Sequence, residues 1–157
     1  NTEPFVDRTF RGGPGPNYFQ LQVLTKRHPA YSSLKEKFGK KWEKDSVAPT
    51  VERIFKVQVP TAVFERHQEY AGRMNNTRRR FHGTSCLDSC SFFVNLRGGP
   101  CGERTCSVCN ICTEGFKLEG NIGRTAQQTN FNLRYGEGLY FSSISGKAND
   151  YATNSEK

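Results

Sequence analysis

Phe81-His82-Gly83-Thr84 is answered further along by Tyr135-Gly136-Glu137-Gly138-Leu139-Tyr140-Phe141-Ser142 and then Ser145-Gly146-Lys147-Ala148-Asn149-Asp150-Tyr151. A strand ending in His-Gly-Thr sets an imidazole beside a glycine whose backbone a flat polar ligand can approach closely, because no side chain intervenes. The later stretch presents two tyrosines, Tyr140 and Tyr151, eleven residues apart, a spacing that lets the rings face each other across a slot. Taken singly, each tyrosine reads equally well as an ordinary sheet residue. Both motifs together, in this order, are far more specific than either alone.

The elements around these motifs follow from period and punctuation. Pro49 precedes Val51 to Val59, a β-branched run expected as a strand. Pro60 ends it, Thr61 caps, and a helix is expected from about Ala62 to Met74, with Val63, His67, Tyr70 and Met74 on one side. His67 on that face reads as structural. Asn75-Asn76-Thr77 makes a turn, and Arg78 to His82 the next strand. Upstream, Ser33-Leu34-Lys35-Glu36 has the form of a capping box opening a helix. Leu34, Phe38 and Trp42 recur at helical spacing as a core-facing stripe, and Lys35, Lys37, Lys40, Lys41 and Lys44 crowd the solvated faces. Residues 1–17, with Gly12-Gly13-Pro14-Gly15-Pro16, read as a flexible leader, and no internal repeat is visible.

The paired motifs resemble the catalytic core of the diphtheria-toxin-type, poly(ADP-ribose) polymerase-like ADP-ribosyltransferases, over roughly residues 30–155. The resemblance implies an α+β fold, a split pair of antiparallel sheets with helices outside and an NAD+ cleft between, in a domain spanning 18–157. It implies that His82 hydrogen-bonds a ribose hydroxyl of NAD+, that Gly83 grips the nicotinamide carboxamide through its N–H and C=O, and that Tyr140 and Tyr151 stack on the ring, with Thr84 beside them. His82 and Tyr140 are the candidate catalytic residues. The expected reaction cleaves NAD+ at the nicotinamide–ribose bond and passes ADP-ribose to a protein or nucleic-acid acceptor.

Two departures from the family pattern stand out. Ala148 occupies the place of a serine that bonds the carboxamide in the family, and Ser145 is the candidate substitute. The family's glutamate, on a strand well beyond the tyrosine segment, has no counterpart: Glu137 sits in the Gly-Glu-Gly turn and Glu156 follows Tyr151 too soon. The expectation is a chain lacking the C-terminal strands: a fragment of a longer transferase that needs the remainder of its own polypeptide, the favoured reading, or a natural remnant that needs another polypeptide. Asn1 is no translation start, which points to processing or cutting ahead of it.

All six cysteines fall between Cys86 and Cys112, an insertion of a kind that several fungal-type members of the family carry after His-Gly-Thr. Cys101-x4-Cys106-x2-Cys109 supplies three closely spaced sulfurs, and Cys86 or Cys90 a fourth, the ligand set of a closed structural zinc site. Disulfides and unlinked thiols are the alternatives. Cys112, in the apolar segment Ile111–Phe116, reads as a small buried hydrophobe. Bunched cysteines favour a reducing, intracellular setting, nucleus or cytoplasm.

At 157 residues and 34% hydrophobic content, with mean hydropathy −0.72, one domain with a modest core is expected. No apolar run is long enough to span a membrane. The net charge of +8 attracts anions without choosing among dinucleotide, nucleic acid and acidic protein. The rival reading is therefore a non-catalytic module that binds nucleic acid or an acidic partner through Arg78-Arg79-Arg80 and the lysine-rich helix.

Overall fold

A computed structural model describes residues 9–11, 20–94, 99–117 and 138–152. Its elements in chain order are β1 (Thr9–Arg11), β2 (Gln20–Leu24), α1 (Pro29–Lys40), β3 (Ile54–Gln58), α2 (Thr61–Met74), α3 (Ser107–Glu114) and α4 (Ser145–Asn149). The class is α+β. The strands form one antiparallel sheet in the order β1-β2-β3, with Leu21 opposite Val57 and Val23 opposite Phe55.

Leu21 is wholly buried, and Val23 and Phe55 are partly so, because the pleat sends them to the same side. A cysteine-bearing loop covers that face. Leu21 joins Phe92, Cys106, Cys109 and Cys112 in the core cluster, with Leu87, Phe93 and Val108 packed around it. Full burial of Leu21 and Phe92 contributes about 1.5–3 kcal/mol each. Arg53, just ahead of β3, donates from Nη1 to the Phe93 carbonyl at 3.0 Å and ties the loop to the sheet.

The second anchoring region is the C-terminal end of α1. Carbonyls in a last helical turn have no intrahelical donor. Here Ser145 supplies two: its N–H donates to the Lys41 carbonyl at 2.7 Å and its hydroxyl to the Phe38 carbonyl at 2.6 Å. A Cβ on Gly146 would lie 2.0 Å from the Trp42 carbonyl oxygen, so only glycine lets α4 come this close. Trp42 is itself buried, donates from Nε1 to the Ser46 carbonyl at 2.7 Å, and packs on Phe38. Phe38 in turn meets Phe81 edge-on. The aromatic stripe expected from spacing is thus core, and it carries the packing across to the His-Gly-Thr segment.

Several boundaries differ from the sequence reading. Helix α1 starts at Pro29, not at Ser33: His28 is the N-cap, its Nδ1 accepting from the Ala30 N–H at 3.1 Å, and proline is preorganised for the first helical position. Helix α2 is capped by Pro60 without a side-chain bond, so Thr61 is its first residue rather than its cap, and it ends at Asn75 in the left-handed region (φ 44°). Strand β3 is the middle of the expected run. Arg78 to His82 form no extended ladder; only Phe81 is paired, to Ser142, through reciprocal bonds of 2.8 and 2.9 Å. The three arginines before it are exposed, and no strand lies beside them among the described residues. One sheet, rather than a split pair, is present among the described residues. Within the stretch expected as a leader, Thr9–Arg11 form β1.

Candidate ligand slot and metal centre

The Phe81–Ser142 bridge brings the two sequence motifs together. One residue after it, His82 donates from Nδ1–H to the Tyr140 carbonyl at 2.9 Å. A carbonyl only accepts, so the proton is on Nδ1 and the neutral ring keeps Nε2 as an acceptor. The His82 ring also packs edge-on against Phe116, centroids 5.0 Å apart, and at a tilt against Phe141 at 5.2 Å; the two phenylalanines are 5.1 Å from each other.

Gly83 comes next and touches α4. A Cβ there would sit 1.7 Å from the Ala148 carbonyl oxygen and 3.1 Å from Tyr151 Cβ. The glycine is required by backbone-to-backbone contact on one side. Among the described residues its N–H and C=O enter no backbone hydrogen bond. Tyr140 and Tyr151 are about half exposed, and Thr84 is half-buried. His82 therefore meets the Tyr140 backbone, and Gly83 lies beside Tyr151.

Ser145 does not join them. Its N–H and hydroxyl both cap α1, so it is committed to the scaffold and is no substitute for the carboxamide-bonding serine. Glu137 and Glu156 lie outside the described residues. Phe116 and Phe141 are the slot residues that motif reading passes over; the only trace of Phe116 in the sequence is the apolar character of Ile111–Phe116.

All six cysteines are free thiols. Four of them, Cys90, Cys101, Cys106 and Cys109, have sulfurs all within 4.8 Å of one another and could hold a metal ion. Cys90 and Cys101 lie 3.6 and 3.7 Å from Cys109. Four sulfurs bonded to one tetrahedral ion at about 2.3 Å are separated by about 3.8 Å, so the donor set fits with little movement. Cys90, not Cys86, completes the group. Cys112 is buried in the apolar core beside it, as its neighbours in sequence imply.

The thiols differ in how readily they ionise. Burial pushes Cys86 up to about 12, helped by the neighbouring sulfurs of Cys90, Cys106 and Cys112. Burial likewise raises Cys109 and brings Cys112 to about 11. For Cys106 burial again opposes ionisation, but it is outweighed. Backbone N–H groups of Leu87 and Cys109, then the Cys109 and Cys101 thiols, bond the sulfur and bring it down to about 7. Cys106 is also the N-cap of α3, where a negative charge is favoured. It is the first thiolate a metal would meet.

No family model matches the chain, and no curated protein matches it. No helix among the described residues is long and apolar enough to cross a membrane.

Proposed function

We propose that this chain is an NAD+-binding domain of the ADP-ribosyltransferase type, with a structural zinc centre in its cysteine loop. The observation that carries the reading is that His82 meets the Tyr140 backbone and Gly83 lies beside Tyr151, with the Gly83 backbone in no backbone hydrogen bond among the described residues.

In this reading the free N–H and C=O of Gly83 pair with the nicotinamide carboxamide, and the two tyrosines stack on its ring, worth about 0.5–1.5 kcal/mol per contact beyond burial. His82 Nε2 accepts a hydrogen bond from a ribose hydroxyl, its ring fixed by the Tyr140 carbonyl. The bond from nicotinamide to ribose breaks, nicotinamide leaves with the bonding pair, and ADP-ribose passes to an acceptor nucleophile. The carboxylate that would favour the cationic sugar is assigned to no residue here. Zinc held by the thiolates of Cys90, Cys101, Cys106 and Cys109 would supply fold stability rather than chemistry.

Calorimetric titration with NAD+ and nicotinamide tests the slot. Wild type is expected to bind, with His82→Ala and Tyr151→Ala weakened; no binding by wild type, or equal binding by both variants, defeats the assignment. A second reading is favoured by the exposure of Arg78, Arg79 and Arg80 directly before the slot. If they serve a nucleic acid, binding of single-stranded oligonucleotide falls linearly with salt on a log–log plot.

A further inference from the structure

The cysteine loop leaves the slot and returns to it. Cys86 follows Gly83 by three residues, and Cys112 precedes Phe116 by four. Between them, α3 is one stiff piece carrying sulfur at one end and an aromatic just past the other. Cys106 caps its start, Cys109 lies in its first turns, and Gly115 closes it with its N–H on the Ile111 carbonyl at 3.0 Å. Gly115 has φ 80°, a conformation that suits glycine, and any Cβ there would press on Val63 of α2 at 3.1 Å. That close seat fixes the direction in which Phe116 leaves the helix, straight to the edge of the His82 ring.

We infer that the cysteine centre controls the ligand slot through Phe116: metal held by Cys106 and Cys109 fixes α3, α3 places Phe116, and Phe116 orients the imidazole of His82. Phe116 is a positioning residue, packed on the His82 ring and on Phe141. Metal and nicotinamide are then coupled without touching, and the coupling is reciprocal: each tightens the binding of the other by the same factor. The inference rests on the nicotinamide reading for its consequence, but its structural half concerns His82 with no ligand present.

The test follows the His82 imidazole by NMR in the metal-loaded chain, together with nicotinamide affinity and competition for zinc by a chelator. Phe116→Ala is expected to retain its metal, to move the His82 ring signals as the ring current is lost, and to weaken nicotinamide about tenfold, within the usual range of such couplings. Phe116→Tyr is expected to restore both. In wild type, saturating nicotinamide slows zinc loss to the chelator; in Phe116→Ala that protection disappears, because the two losses share one route and do not add. Unchanged His82 signals in metal-loaded Phe116→Ala would overturn the inference, as would zinc protection that survives the substitution. Should wild type bind no nicotinamide, the ligand reading falls, and the response of the ligand-free His82 ring still decides the inference.

Discussion

Cys106 and Cys109 are 0% and 2% exposed, whereas Tyr140, Phe141 and Tyr151 are 43%, 46% and 53% exposed, although α3 and Phe116 join the two regions. The cysteine centre turns its chemistry inward. Its sulfurs share a core with Leu21 and Phe92, and the donors around Cys106 come from the protein's own backbone. The other region holds its aromatic rings at the surface, and among the described residues the Gly83 backbone enters no backbone hydrogen bond. Leaving apolar rings in water forgoes burial energy that packing would provide. Where a modest core cannot stabilise a long loop, metal ligation can. The comparison therefore separates a region whose side chains are packed into the core from one whose rings stay open to solvent.

The strongest way to break that division is to remove the metal. Structural zinc contributes about 10–16 kcal/mol of apparent binding energy in small peptides, more than most domains have in total stability. Chelation or Cys106→Ser is expected to release about one equivalent and to lower the melting temperature by far more than any single substitution elsewhere. Hydrogen exchange should rise first over 86–112. Cys112→Ala should keep the metal, since that side chain packs with Leu21 and Phe92 rather than joining the four sulfurs. Metal lost from Cys112→Ala, or metal-free protein with paired sulfurs by mass, would dissolve the assignment.

Gly83→Ala attacks the other region. The added carbon would lie 1.7 Å from the Ala148 carbonyl oxygen, a clash with backbone that no rotamer relieves. A cost at or above the about 1–3 kcal/mol of ordinary overpacking is expected, with nicotinamide binding lost and zinc content unchanged. Calorimetry and elemental content on the same sample read both. Ser145→Ala gives a smaller, contrasting result. It removes the donor to the buried end of α1 and should cost about 1–2 kcal/mol in thermal unfolding, yet leave nicotinamide affinity close to wild type. A collapse of affinity at unchanged stability would return Ser145 to the slot.

How far the sequence carried these conclusions depends on the kind of signal. Leu34, Phe38 and Trp42 announce their packing because a helix repeats every 3.6 residues, and β3 and α2 fall where β-branching and proline put them. That the two motif segments lie together is legible through motif order. Three of the four clustered sulfurs were legible through spacing, but the choice of Cys90 over Cys86 was not, because it depends on how the loop folds back on α3. The start of α1 was misread at Ser33 since a capping-box pattern competes with Pro29 at the first position, and tertiary context favours the proline. Ser145 and Phe116 lay beyond reach for the same reason: their partners, Phe38 and His82, are distant in the chain, and no local pattern encodes such a contact.

The smallest expected effect separates the thiols themselves, in reduced, metal-free protein. An unperturbed thiol here titrates at 9.0, and Cys106 in the folded chain at about 7. A lowered folded value means that Cys106 stabilises the fold fully above pH 9 and that this contribution is lost as pH falls through 7. Cys86 has the opposite sign. Raised to about 12, it stabilises fully below pH 9 and its contribution disappears as pH climbs toward 12. The two contributions overlap at their fullest near pH 9, so the melting temperature of metal-free protein should peak there and decline on both sides. Cys106→Ser should flatten the acid side between 7 and 9, and Cys86→Ser should soften the alkaline side. An acid decline that persists unchanged in Cys106→Ser would mean that the backbone N–H groups of Leu87 and Cys109 do not hold a thiolate. The first step of metal capture would then fall to another sulfur.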